Sequence, residues 1–290
     1  QRKATAIIGI LMERCYLCTH KTQTFLKGKN ISILRCTNCK LTYTLDITPH
    51  YGIIREDSTK FVKEYLEEAR FYNEYFDAMI ETIRRYKNPK YLLDVGCGIG
   101  LFLQKIKVIG WKAVGVDMSK AAVGYARAHG LEVYLGKIEE ITFKPGTFDV
   151  ITLFQTIEHI KDPLKTLKKI YSLLPKGGML LITTPSEESL MARVLGKYWF
   201  GYRNIEHLYF FNKQSLASMQ KKVGFKKIMI HTEFGRILSV PWVLTRIFEY
   251  YYNQKSPLVS LALKSRPYWK YLSKITFREP DVNLVSVAVK

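Results

Sequence analysis

Through the middle of the chain, short apolar runs alternate with amphipathic stretches of helical spacing. Tyr91-Leu92-Leu93-Asp94-Val95 is a compact apolar run that predicts a buried strand, and the glycines after it end that strand. Leu101, Phe102, Ile106 and Ile109 then recur at helical intervals, so the segment reads as strand, glycine turn, helix. Trp111 to Val116 predicts a second buried strand. Upstream, Phe61, Tyr65, Ala69, Tyr72, Phe76, Ile80 and Ile83 mark one face of a long helix. Downstream, the pattern predicts a helix over Lys213 to Lys222 and a strand near Lys227 to Glu233. A last strand is predicted over Val285 to Val289.

The turn itself carries chemistry. Glycine permits a tight backbone turn and close approach of a ligand to the main chain. Gly96, Gly98 and Gly100 are one position too compact for a dinucleotide fingerprint, which would place its third glycine where Leu101 stands. A phosphate-cradling P-loop would need Lys-Ser or Lys-Thr after the last glycine, and none is present. Asp94 would repel a pyrophosphate but suits a ligand bearing an ammonium and a sulfonium. Asp117 ends the second strand, 23 residues after Asp94, where a carboxylate can accept hydrogen bonds from ribose hydroxyls. The other role open to Asp117 is capping the helix that follows Ser119.

With these residues in place, the chain resembles the class I S-adenosylmethionine-dependent methyltransferases, in particular the ubiquinone O-methyltransferase-like small-molecule branch. Leu92 to Gly100 matches the first family motif and Val114 to Ser119, including Met118, the second. Gly136 to Glu140 resembles the stretch flanking the adenine, which adds Ile138 and Glu139 to the cofactor contacts. Phe148 to Ile160 resembles the fourth strand and the loop facing the methyl group, which brings in Phe154, and Leu174 to Pro185 the fifth strand and its lead-in. The likeness spans roughly residues 90 to 234. It implies a Rossmann-like α/β fold, a seven-stranded sheet with helices on both faces, and S-adenosylmethionine as cofactor. It does not specify the acceptor.

Ahead of this core, Cys15-x2-Cys18 and Cys36-x2-Cys39 have zinc-ribbon spacing. Two such pairs can close a tetrahedron around Zn2+, and four thiolates leave no open position, so the expected metal is structural. Iron is the competing ion, and two disulfides the competing covalent arrangement. The fifth cysteine, Cys97, lies inside the glycine turn with little room to pair; a free thiol suggests a reducing compartment, which argues against disulfides. The organisation expected is a cysteine module over residues 1–50, a helical linker or lid over 51–88, and the cofactor-binding domain over 89–290.

At 290 residues the chain can bury one full α/β core plus a small appendage, and no apolar run reaches the length of a membrane span. The apolar stretch Ala4 to Met12 is too short to span and lacks a recognisable cleavage site. The expected location is therefore cytoplasmic. Of the formal net charge of +20, residues 1–45 and 226–290 carry +7 each, which suggests an anionic partner, although a solvated surface gives the same count. An insert over about 236–280 sets Trp242, Phe248, Tyr250, Tyr251, Trp269 and other aromatics among lysines and arginines. Such a segment fits peripheral contact with an anionic membrane, stacking on nucleic-acid bases, or an ordinary helical lid.

The acceptor side offers two candidate bases. His159 follows the predicted fourth strand, and His207 lies in Trp199 to Phe211, which resembles the family segment over the acceptor. Either can take a proton near neutral pH. Glu158-His159 also sits just before Asp162-Pro163, a helix-start signature, so His159 could instead brace that loop. Ubiquinone-type relatives often have an acid where this chain has Gln155, so catalytic magnesium is not expected. The leading functional reading is methylation, most simply at oxygen, of a small-molecule, glycan or lipid-linked acceptor. RNA methylation is the alternative, with the basic termini and cysteine module gripping RNA.

Overall fold

The computed structural model describes residues 14–27, 32–45, 59–204, 206–233, 237–239, 276–278 and 282–290. The apolar stretch 4–12 and the aromatic and basic side chains of the 236–280 insert lie outside them.

Three short strands come first: β1 (Thr22–Lys27), β2 (Ser32–Cys36) and β3 (Thr42–Thr44). Helix α1 (Thr59–Tyr86) follows, carrying Phe76, Met79, Ile80 and Ile83 on its buried face. The core then alternates strand and helix: β4 (Tyr91–Val95), α2 (Leu101–Val108), β5 (Lys112–Asp117), α3 (Lys120–Ala128), β6 (Val133–Leu135), β7 (Val150–Phe154), α4 (Pro163–Leu173) and β8 (Met179–Pro185). A short helix α5 (Leu190–Leu195) and strand β9 (Tyr209–Phe210) precede α6 (Lys213–Val223) and β10 (Lys227–Glu233). Two three-residue strands, β11 (Ile237–Ser239) and β12 (Thr276–Arg278), pair with each other, and β13 (Asn283–Val289) is the last.

The main sheet has seven strands in the order β10-β13-β8-β7-β4-β5-β6. Its β4, β5, β6, β7 and β8 pair in parallel, whereas β13 is antiparallel to both neighbours. This is the Rossmann-like seven-stranded α/β sheet expected from the sequence. Every residue of β7 is buried, as is nearly all of β4 and β8, because helices cover both faces and leave no solvated side to alternate with. The order turns back between β4 and β7, so the carboxyl ends of those strands open into the crevice where ligands bind in such sheets.

Local chemistry fixes the helix starts. Ser119 accepts a bond from the Ala122 amide and Asp162 one from Lys165, with Pro163 at the first helical position. Asn212 and Ser215 form a reciprocal capping box at the head of α6.

The second sheet draws on two distant parts of the chain. Its order is β1-β2-β3-β9, so a strand from the cofactor-binding region completes the sheet begun by the cysteine module. Thr42 faces Phe210 and Tyr43 faces Tyr209 in that pairing. Strands β1, β2 and β3 therefore share their sheet with β9.

Candidate active site and thiol cluster

The glycine turn sits where β4 ends. Gly96, Gly98 and Gly100 all adopt positive φ, at 78°, 53° and 82°. Space as well as conformation demands glycine at two of them. A Cβ on Gly96 would lie 2.3 Å from Thr156 Oγ1, and one on Gly100 would lie 2.4 Å from a Leu131 methyl. Above Gly98 lies the ring of Tyr65, which stacks on Tyr72 with planes 2° apart. Cys97 is buried, and burial pushes its thiol well above the ordinary range.

Asp117 reaches back to this turn. One carboxylate oxygen accepts the Gly98 amide at 2.8 Å and the other accepts the Ser119 amide at 2.8 Å. The cap of the following helix is Ser119 itself, so Asp117 organises the turn while Ser119 starts the helix. Asp94 is buried beside it and accepts a hydrogen bond from Thr152 Oγ1 at 2.7 Å. Burial pushes its carboxyl up to about 7, against the Thr152 bond, and the Asp117 charge adds to the rise. Asp94 and Asp117, set beside the glycine turn, fit a ligand bearing an ammonium and ribose hydroxyls.

The remaining cofactor candidates surround the same end of the sheet. Met118 is half exposed at the end of β5 and Ile138 is buried in the core beneath. The Glu139 side chain turns to accept a hydrogen bond from Thr166 on α4. Phe154 packs its ring edge-on against Phe102 and Tyr75.

The loop after β7 holds the acceptor-side groups. Gln155 has a positive φ of 48°, unusual for a side chain with a Cβ, and its amide donates to Thr183 Oγ1 and Asn283 Oδ1. Tyr75 is hydrogen-bonded to the same Thr183 hydroxyl. A single 3-10 turn, 157–159, then places Glu158 and His159 together. Glu158 is buried and accepts a bond from Thr184 at 3.0 Å. His159 Nδ1 meets the Glu206 carbonyl at 2.9 Å, which assigns the proton to Nδ1 and turns Nε2 toward Glu158, 3.8 Å away. The rings of His159 and His207 lie edge to face with centroids 4.9 Å apart. The structure thus joins the two histidines that the sequence separates by 48 residues, and adds Thr184, Tyr75 and Asn283, whose chain positions gave no hint of their meeting. Ligand atoms of Glu158, His159 and His207 all lie within 4.8 Å of one another.

The four cysteines of the paired motifs gather as their spacing requires. All four sulfurs lie within 4.8 Å of one another, with Cys15–Cys39 at 3.6 Å and Cys18–Cys36 at 3.4 Å. Those separations are far from the ~2.05 Å of a disulfide and close to the edge, about 3.8 Å, of a tetrahedron of metal–sulfur bonds. Amides of Leu17 and Asn38 point at the Cys15 and Cys36 sulfurs, as donors that favour thiolate. The cluster fits one tetrahedral ion.

A methyltransferase domain family matches residues 65–230, more than half of the chain. The chain belongs to this family, and its fold and glycine turn are those of the class I S-adenosylmethionine-dependent methyltransferases. Among curated relatives, ubiquinone biosynthesis O-methyltransferases of Bordetella bronchiseptica and Colwellia psychrerythraea are 33% identical over 102 residues and 30% over 126. These matches cover 33% and 40% of this chain and 42% and 51% of the relatives, so the chain spans about half the length of the curated proteins it matches. A solved S-adenosylmethionine-dependent methyltransferase of Thermotoga maritima superposes with a TM-score of 0.55 at 21% identity, covering 80% of this chain and 96% of that one. One from Archaeoglobus fulgidus gives 0.54 at 21% identity, over 78% and 99%. Among the described residues, no helix is long and apolar enough to cross a membrane.

Proposed function

We propose that the protein transfers a methyl group from S-adenosylmethionine to a hydroxyl of a small-molecule, glycan or lipid-linked acceptor, with His159 and His207 as the acceptor-side bases. The observation that carries this reading is the pairing of those two imidazoles, 4.9 Å apart, on the loop after β7. Asp94, Gly96, Gly98, Gly100 and Asp117 would hold the cofactor, with Met118, Ile138, Glu139 and Phe154 around them. When bound, S-adenosylmethionine supplies an electrophilic methyl on a sulfonium.

The chain's own contribution is alignment and proton removal. The Glu206 carbonyl fixes the His159 tautomer, so Nε2 carries the lone pair that can accept a hydroxyl proton. Glu158, held by Thr184, places a carboxylate near that nitrogen and stabilises the imidazolium that results. His207 is positioned from the other side, its Nε2 2.9 Å from the Asn204 amide nitrogen. The Cys15, Cys18, Cys36 and Cys39 cluster is read as a structural Zn2+ site, since four thiolates leave no position for a reactant.

The test uses purified protein and methyl-labelled S-adenosylmethionine with cell extract separated into lipid, small-solute, RNA and protein fractions. Label in lipid or small solutes is the expected result, and label in RNA alone overturns the acceptor class. With the acceptor in hand, His159→Ala or His207→Ala should lower kcat about 10²–10⁴-fold. Full activity of the double variant would remove both residues from the chemistry.

A further inference from the structure

Methyl transfer makes no chemical demand on a four-cysteine module, yet the module is hydrogen-bonded into the acceptor side of the site. One connection runs through a single residue. Leu208 gives its carbonyl to the Thr44 amide at 2.9 Å and its own amide to the Glu158 carbonyl at 2.8 Å. One neighbour of Leu208 is His207, and the next residues, Tyr209 and Phe210, are the strand that completes the module's sheet. His159 in turn bonds the Glu206 carbonyl. The segment holding His207 is therefore pinned on one side by the module and on the other by the loop holding Glu158 and His159.

A partly buried ion pair ties the same parts together. Arg35, on β2 next to the ligand Cys36, donates to Glu187 at 3.0 Å and to the Tyr202 hydroxyl at 3.1 Å. Glu187 has a side chain only 4% exposed and also accepts from Asn212, the cap of α6, at 2.6 Å. Its position just beyond β8 means that one carboxylate links the module, the end of the central sheet, the α6 cap and the segment that leads to His207. The guanidinium also lies over the Phe25 ring, 3.8 Å from its centroid, so its plane is held from above as well as by its bonds. Asn212 and Gln214 reach the cysteine knuckle at the Lys40 and Asn38 carbonyls, and Lys222 reaches the Leu17 carbonyl.

We propose that Arg35 is a positioning residue for the acceptor side of the site, and that the metal-bound cysteine module acts through it and through Leu208 to hold His207 against His159. The inference rests on reading those histidines as acceptor-side groups. The main cofactor-holding residues lie away from this link, because Asp94, the three glycines and Asp117 belong to β4, β5 and the turn between β4 and α2. Removing Arg35 leaves the Glu187 carboxylate without its counter-charge, so that Tyr202 and Asn212 are left to hold it and the segment around Tyr202 loosens. Lysine cannot reproduce the planar group that donates from Nε to Thr42 Oγ1 and from Nη2 to Glu187 and Tyr202.

The test compares full-length wild type with Arg35→Met, Arg35→Lys and the Arg35→Met/Glu187→Gln double variant. Three quantities are read: S-adenosylmethionine affinity by calorimetry, amide exchange at Leu208 and Tyr209, and acylation of His159 and His207 by diethylpyrocarbonate. In Arg35→Met, exchange and acylation should rise about tenfold while cofactor affinity stays within about twofold. Arg35→Lys should fall between, and the double variant should recover most of the protection because no lone charge remains. Should Arg35→Met fail to fold, chelator-stripped wild type gives the same readouts and the same expected pattern. Unchanged exchange and acylation would overturn the inference, and so would cofactor affinity that falls in step with them. None of these readings uses methyl transfer, so an acceptor assay that fails while the coupling holds indicts the proposed activity alone.

Discussion

Asp117 holds Gly98: the carboxylate accepts the glycine amide at 2.8 Å while its second oxygen takes the Ser119 amide at the same distance. The acid at the end of β5 thereby shapes the cofactor turn from across the sheet. Asp117→Ala should weaken S-adenosylmethionine binding about 10–100-fold, the range for losing charge-assisted hydrogen bonds worth about 1.5–3 kcal/mol. Calorimetry with S-adenosylhomocysteine and the methylated cofactor measures it, and an unchanged Kd would exclude Asp117 from the site.

Gly96 is the least substitutable residue of the turn. An added Cβ meets Thr156 Oγ1 at 2.3 Å in a backbone region that L side chains avoid. Gly96→Ala should cost about 1–3 kcal/mol of stability through strain, and most of the cofactor affinity, because Thr156 must move with the loop that carries His159. Melting curves and cofactor titrations on the same preparation check both.

Asp94 sets a pH dependence. Burial raises its carboxyl from 3.8 to about 7, so the folded state holds a proton that the unfolded chain releases between those values. Stability contributed by this group is present at low pH and is lost as pH rises from about 4 through 7, on the order of 4 kcal/mol at most. Asp94→Asn, whose side-chain oxygen can still accept the Thr152 hydroxyl, should flatten the cofactor-free melting temperature between pH 5 and pH 8. An equal slope in both proteins would place the titration elsewhere.

Metal analysis of the purified protein should give one ion per chain, and Cys36→Ser should take it toward zero. Cobalt in place of the native ion should show the visible absorption of a tetrahedral thiolate site. Disulfides in place of metal would appear as loss of free thiols, with Cys97 alone remaining.

Much of this was legible because the main sheet is built from consecutive units. Leu92, Leu93 and Asp94 announce a buried strand, the three glycines announce the turn, and Asp117 ends the next strand, all within about one βαβ unit. The cysteine cluster was legible for the same reason: its ligands are close in sequence. What could not be read was whatever depends on distant pairing. No local signal shows that Tyr209-Phe210 joins the module's sheet, since a two-residue strand has no period. Nor does any show that Arg35 meets Glu187, 152 residues away. His159 and His207 were each visible as candidates, but their edge-to-face contact is a property of the fold alone.

The place of β13 has a consequence for biosynthesis. This strand, residues 283–289, is inserted between β8 and β10, pairing residue for residue with both. Until it emerges from the ribosome, β8 and β10 stand with unsatisfied edges on either side of an empty lane. The nascent chain can assemble the cofactor turn early, yet it cannot seal its sheet before translation has passed Val289. A stalled or truncated product would expose two sticky edges to chaperones and proteases, giving the cell a clear mark by which to discard it.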